Sequence, residues 1–286
     1  MFLSVAFAEN LPIVLMHGFA NNYKIVEPFR KWINRAMPEA YVLNCEVGGG
    51  VKDSIFMTIS DQVELLSQCI NNDKHMKDGF IAVGYSQGGY LFRHYIEMYN
   101  HIRAPVRRFI GISNPLGGFF CGFKEKCFIF GTFPDVVQMH EPAIAYNAVM
   151  QSNVGSSNYW RDPYHLDVYE AHARDLPLLD NLRDFDPQRK INFMSPDLWV
   201  LFGSPKDGVI TPWKSAFFGQ NGDSETEQVD FWDREDFEED LFGLKSMHQQ
   251  HRIKTIETEL HHLEYIMPRG QQWFVDQVVP WMRMDK

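Results

Sequence analysis

The feature that most constrains this chain lies between Phe80 and Met98. An apolar stretch, Phe80-Ile81-Ala82-Val83, runs into Gly84-Tyr85-Ser86-Gln87-Gly88-Gly89, and a helical pattern covers Gln87 to Met98. A short apolar run bounded by glycine reads as a buried strand. A strand that passes to a helix through G-x-S-x-G makes a sharp turn and forces the central serine into a strained backbone conformation. Its hydroxyl then projects from the end of the strand. Such a turn needs small neighbours, which Gly84, Gly88 and Gly89 supply. An ordinary glycine-rich turn would share the spacing, but strand and helix on either side favour the nucleophile reading, so Ser86 is the candidate nucleophile.

The flanking sequence extends the pattern. Leu11 to Met16, Ala40 to Val47 and Phe109 to Ser113 read as further strands, and Val26 to Met37 and Ile59 to Ile70 as amphipathic helices. Strand and helix in alternation predict a parallel sheet with crossovers. The rhythm stops over 115–195, which is rich in aromatics, glycine and proline. It resumes with strands at Leu198 to Phe202 and Ile253 to Leu260 and a terminal helix at Gln271 to Met282. The expected organisation is a core in two parts, 9–114 and 196–286, with a largely helical or irregular insertion, 115–195, over the active site.

A serine hydroxyl needs a base within hydrogen-bond reach. With this elbow the chain order is serine, acid, histidine. His261 and His262 follow the last predicted strand and precede the terminal helix, where that order puts the base. The acid belongs on the loop after the strand beginning at Leu198, and Asp207 in Gly203-Ser204-Pro205-Lys206-Asp207-Gly208 fits; it also reads as a plain Asx-turn before Gly208. Two backbone amides should face the developing oxyanion: that of Gln87, directly after the nucleophile, and that of Phe19, in the His17-Gly18-Phe19 loop after the first strand. The fold class is α/β, an α/β-hydrolase with a mostly parallel sheet flanked by helices.

Composition narrows the alternatives. With 37 Asp and Glu against 27 Lys and Arg, the net charge of −10 disfavours nucleic-acid binding. The acidity concentrates from Asp223 to Asp240, which reads as a solvated loop. No apolar run approaches the ~18 residues of a membrane span. Met1 to Ala8, MFLSVAFA, ends in a small-x-small step and reads as a weak or truncated signal segment, implying a secretory route, lysosomal or extracellular. Of four cysteines, Cys121 and Cys127 are close enough in sequence to be expected as a bridge, and no Cys/His grouping suggests zinc. Asn-x-Ser/Thr is absent. No metal, cofactor or nucleic acid is expected, and a monomer is the expected state.

The chain resembles the palmitoyl-protein thioesterase family, nearest its lysosomal thioesterase branch. The resemblance rests on Ile13-Val14-Leu15-Met16-His17-Gly18, Tyr85-Ser86-Gln87-Gly88-Gly89, Ile112-Ser113-Asn114-Pro115 and Asn158-Tyr159-Trp160-Arg161-Asp162-Pro163. It continues through Asp207-Gly208-Val209-Ile210-Thr211-Pro212-Trp213, Ser215-Ala216-Phe217-Phe218-Gly219 and Val279-Pro280-Trp281. It implies a fatty-acyl thioester substrate, with Ser86 as nucleophile, Asp207 as acid and His262 as base, His261 being the reserve. A cysteine pair expected before Asn158 is missing, and the absent sequon argues against glycan-dependent sorting. The expected activity is hydrolysis of acyl-CoA or S-acylated cysteine through an acyl-enzyme. A carboxylester lipase on the same triad, or a non-catalytic lipid- or partner-binding protein, are the alternatives. Phe119, Phe120 and Phe123, with Phe128, Phe130 and Phe133, are dense in an irregular stretch. They are expected to line the acyl site or to form a satellite core under the loop.

Overall fold

The computed structural model describes residues 11–122, 142–224 and 226–283. The signal-like segment Met1 to Ala8, Cys127, and Phe123, Phe128, Phe130 and Phe133 lie outside the described residues.

Six strands build one sheet: β1 (Ile13–Met16), β2 (Val42–Asn44), β3 (Phe80–Tyr85), β4 (Val106–Ile112), β5 (Leu198–Gly203) and, after the two-stranded hairpin β6 (Gln220–Asn221) and β7 (Gln228–Val229), β8 (Ile253–Glu257). Their order is β2-β1-β3-β4-β5-β8, and every neighbouring pair is parallel. A parallel sheet buries both faces under crossover helices, and the strands follow: every residue of β1 and β3 is buried. Val14, Met16, Ala82 and Phe109 face one hydrophobic cluster; Ile13, Leu15, Ile81 and Ile110 face the other.

Four α-helices flank the sheet within residues 11–122: α1 (Glu27–Ala36), α2 (Val51–Phe56), α3 (Ile59–Asn71) and α4 (Gln87–Tyr99). The α1 helix buries Phe29, Trp32 and Ile33 against the sheet, with Phe29 stacked 4.5 Å from Phe274. The α3 helix starts at Thr58, whose hydroxyl accepts from the Asp61 N–H. The terminal helix departs from the regular one expected: an α turn at Gly270–Trp273 widens into a π turn at Phe274–Val278 and tightens into a 3₁₀ turn at Val279–Met282. Pro280 lacks an N–H and crowds the carbonyl four residues back, so a regular helix cannot pass through it.

The described residues of the 115–195 stretch pack onto the core. Leu116, Phe119, Phe120, Tyr159, Trp160, Tyr169 and Leu176 join the cluster containing Val14, Ala82 and Phe109. Its last helix, Pro187–Phe193, buries Phe193 against Trp199 of β5, ring centroids 4.5 Å apart, and leads directly into β5. Arg93 of α4 clamps the stretch in place: it pairs with Glu97 at 2.8 Å and Asp180 at 2.5 Å and donates to the Leu116 carbonyl at 2.6 Å. Asp180 also meets the buried Arg234 at 2.8 Å, which pairs with Asp236 at 2.6 Å. The acidic run expected as a solvated loop is therefore partly pinned. Asp230 holds Lys214 and Asp240 holds Lys190, while most of its other carboxylates remain exposed.

Sequence spacing pointed to a Cys121–Cys127 bridge, and Cys127 lies outside the described residues. A bridge that spacing did not suggest joins Cys45, just after β2, to Cys69 on α3, with Cα atoms 6.1 Å apart. The partners are 24 residues apart, and only the crossover from β2 to α3 brings them together.

Candidate active site

The parallel sheet sends the loops after its strands to one edge, which is where open α/β sheets place ligands. Ser86 follows β3 directly, with φ 54° and ψ −132°. That positive φ is strained for a residue with a Cβ, and glycines make it possible. A Cβ at Gly84 would stand 2.3 Å from Gly89 Cα, and one at Gly88 2.3 Å from the Met16 carbonyl oxygen. Gly18 lies against Ser86 itself: a Cβ there would come within 2.7 Å of Ser86 Cβ and 3.1 Å of Ser86 Oγ. Among the described residues Ser86 Oγ has no hydrogen-bond partner. Catalytic hydrogen bonds often close only once substrate is bound.

Asp207 and His262 meet on the same edge. His262 Nδ1 lies 3.0 Å from Asp207 Oδ1 and 3.1 Å from Oδ2, and the His262 N–H donates to the Asp207 carbonyl at 2.9 Å. Both side chains are buried. His261 is exposed, and its backbone N–H donates to Glu264 Oε2 at 2.9 Å; the ring that meets Asp207 is that of His262. Asp207 also accepts from the Val209 N–H at 3.0 Å and the Ile210 N–H at 2.7 Å. The Asx-turn and the histidine contact thus coexist, the turn aiming the carboxylate. Burial pushes this carboxyl up, but the charge and hydrogen bond of His262, with hydrogen bonds from Ser113 and Ile210, outweigh it and hold it below its ordinary value.

Two neighbours fix the histidine further. Tyr85 donates its hydroxyl to the His262 carbonyl at 2.8 Å, and its ring centroid lies 5.1 Å from the imidazole. Burial, with the Asp207 charge nearby, pushes the Tyr85 phenol well up, so it stays a neutral donor. Ser113, directly after β4, donates to Asp207 Oδ2 in a short hydrogen bond and sits 2.9 Å from His262 Nδ1. Sequence reasoning gave Ser113 no part in the site, because a serine at a strand end has no signature until the next strand's loop is placed beside it.

The Gln87 and Phe19 amides donate to no other group among the described residues. The Gln87 side chain is held by Ser54, Gln62 and Tyr159: its Nε2 donates to the Ser54 carbonyl at 3.1 Å and to Gln62 Oε1 at 2.9 Å, and its Oε1 accepts from the Tyr159 hydroxyl at 2.9 Å. His17 braces the Phe19 loop through Glu46, Nε2 to Oε1 at 2.6 Å. Among the described residues no group of His, Cys, Asp and Glu is arranged to hold a metal ion, and no helix is long and apolar enough to cross a membrane.

The family model for palmitoyl protein thioesterase matches residues 12–262, a span that runs from β1 to His262. The chain belongs to the palmitoyl protein thioesterase family. Palmitoyl-protein thioesterase 3 of Dictyostelium discoideum is 29% identical over 283 residues, covering 95% of this chain and 92% of its own length. The lysosomal thioesterase PPT2 homolog of Drosophila melanogaster is 28% identical over 271 residues, covering 92% and 89%. Among solved structures, a carboxylesterase of the thaumarchaeon Nitrososphaera gargenis superposes with a TM-score of 0.51 at 12% identity, covering 97% of this chain and 93% of its own. That likeness identifies the α/β-hydrolase fold.

Within this family member, the two described phenylalanines expected at the acyl site are packed in the core. Phe119 and Phe120 are 1% and 0% exposed, with ring centroids 5.5 and 5.1 Å from Trp160. Their backbones are tied as well: the Phe119 N–H donates to the Tyr159 carbonyl, and the Phe120 N–H to that of Thr211. Phe120→Ala is expected to cost roughly 3 to 5 kcal/mol of stability, the usual loss for a buried phenylalanine. A denaturant titration measures it, and an unchanged C8-to-C16 acyl-CoA turnover ratio in the same variant would keep Phe120 in the core.

Proposed function

We propose that this protein is a serine thioesterase that hydrolyses fatty-acyl thioesters, acyl-CoA or S-acylated cysteine, through an acyl-enzyme. The observation that carries the reading is the buried Asp207–His262 pair, 3.0 Å apart, on the strand-end edge from which the strained Ser86 projects. Ser86 Oγ attacks the thioester carbonyl carbon while His262 Nε2 takes its proton. Asp207 holds the Nδ1–H tautomer and stabilises the imidazolium. The Phe19 and Gln87 amides receive the oxyanion. The tetrahedral intermediate collapses, the C–S bond breaks, and His262 returns the proton to the departing thiolate. Water, deprotonated by His262, then attacks the acyl-Ser86 ester; the second tetrahedral intermediate breaks its C–Oγ bond, His262 returns the proton to Ser86 Oγ, and the fatty acid leaves. A thiolate leaves more readily than an alkoxide, so hydrolysis of the acyl-enzyme limits turnover. Phe119 and Phe120 serve as packed backing to the insertion; chain-length shifts in their alanine variants without loss of stability would move them to the acyl groove.

The names of the Dictyostelium and Drosophila relatives support thioester over oxoester chemistry. The second also supports a secretory or lysosomal location, as does the Cys45–Cys69 bridge, since disulfides persist in oxidising compartments. The test is kcat/KM for matched thioester and oxoester substrates of one chain length. The expected result is a preference for the thioester of at least about tenfold, roughly 1.4 kcal/mol of transition-state stabilisation. A preference for the oxoester would make the protein a carboxylester hydrolase on the same residues. Failure of a fluorophosphonate probe to label Ser86 in the folded protein would favour a non-catalytic role.

A further inference from the structure

We propose that Ser113 is a positioning residue that tunes the acid–base pair, sharing the Asp207 carboxylate with His262. The proposal rests on the reading of Ser86, Asp207 and His262 as the reacting set. Ser113 is 1% exposed and immediately follows β4, beside the elbow strand. Its hydroxyl donates to Asp207 Oδ2 and lies 2.9 Å from His262 Nδ1, so a single oxygen touches both members of the pair.

The backbone holds it there under strain. Ser113 has a φ of 54°, as does Ser86. Its N–H donates to the Phe202 carbonyl at 2.8 Å, and the N–H of Ser86 donates to the Ile112 carbonyl at 3.0 Å. The next residue, Asn114, donates from Nδ2 to the Ser86 carbonyl at 2.8 Å and to the Gly84 and Ile112 carbonyls at 3.0 and 3.1 Å. One dipeptide therefore grips the nucleophile's turn through Asn114 and the acid–base pair through Ser113. A residue with a Cβ keeps φ > 0 in a buried site only where the surroundings fix it, and here the hydroxyl's two contacts help to do so.

The electrostatic consequence has a definite sign. The groups facing His262 are Asp207 from the β5 loop, Ser113 from the end of β4 and the neutral Tyr85 from β3; Tyr265 faces Asp207, and His261 and Glu264 lie on the histidine's own segment. Among the described residues Asp207 is the anion in contact with the ring. The Ser113 O–H satisfies part of that charge, leaving less of it for the imidazolium. Removing the hydroxyl forfeits a contact from Nδ1 to a neutral oxygen but strengthens the one to the carboxylate, and charge-assisted hydrogen bonds are about twice as strong as neutral ones. The Asp207–His262 contact is thus strengthened in the variant, and the pH profile of turnover reads the change.

The experiment compares Ser113→Ala and Ser113→Gly, because glycine removes the same hydroxyl while relieving the backbone strain at φ 54°. Ser86→Ala and Asp207→Asn are run in parallel, with acyl-CoA hydrolysis followed across pH 4 to 9. The expected result is that both Ser113 variants lose about 10- to 100-fold in kcat, as for a misplaced catalytic group. KM should change little, and the acidic limb of kcat/KM should move to higher pH. Recovery of activity in Ser113→Gly would mean that the serine matters only through the backbone, and would overturn the proposal. So would unchanged kcat and an unmoved limb in both variants while Ser86→Ala is inactive. Normal turnover by Ser86→Ala would instead overturn the reading of the reacting set, a result separable from either.

Discussion

Ser86→Ala is expected to fold as the parent does and to lose about 10⁶ in kcat, leaving only the ~10³ to 10⁴ over water that an oxyanion hole and binding supply without a nucleophile. Fold and chemistry separate cleanly at this position. Ser86 Oγ has no hydrogen-bond partner among the described residues. Deleting it leaves no buried partner unsatisfied, and Cβ remains to pack against Gly18. The elbow is held by groups the substitution does not touch, namely the Ser86 N–H to Ile112 and Asn114 to the Ser86 carbonyl. Thiol release from acyl-CoA gives kcat and a thermal melt gives stability. A stable variant with little turnover is the expected pair of results.

The second large effect separates two adjacent histidines. His262→Ala should be about as damaging as Ser86→Ala, and the double variant little worse than either, because nucleophile and base act as one unit. His261→Ala should stay within a few-fold of the parent, since His261 is exposed and lies outside the Asp207 contact. Some loss of stability should accompany His262→Ala. Asp207 is buried and loses the imidazole it faces, keeping among the described residues the Ser113, Val209 and Ile210 donors. Steady-state kinetics of the three variants decide it; if His261→Ala proved the more damaging, the base would lie one residue earlier.

The strands and helices around the Ser86 elbow were legible because each follows from a local pattern. Phe80 to Val83 is uniformly apolar, and Phe29, Trp32 and Ile33 recur at helical spacing; β3 and α1 form there. The positions of Asp207 and His262 were legible from chain order, since both follow strands that end on one sheet edge. What escaped depends on contacts between strands distant in sequence. Ser113 gains its place only when β4 lies between β3 and β5, and Cys45 reaches Cys69 only through the β2–α3 crossover. The acidic run from Asp223 read as solvated because Arg234, which lies within it and is buried against Asp180 and Asp236, has no periodicity to mark it as buried. The phenylalanines of the insertion read equally as groove or core, and aromatic density alone could not separate them. The backbone ties of Phe119 and Phe120 to Tyr159 and Thr211 exist only in three dimensions.

The most direct test of the account is to trap the acyl-enzyme. The protein is mixed with a labelled long-chain acyl-CoA and quenched in acid within the first turnovers, then digested and mapped. Rate-limiting hydrolysis of the acyl-enzyme predicts a burst of free thiol approaching one per active site, with the acyl label on the peptide carrying Ser86 and absent from the Ser86→Ala protein. Label on a different residue, or steady thiol release with neither a burst nor any acylated peptide, would contradict it.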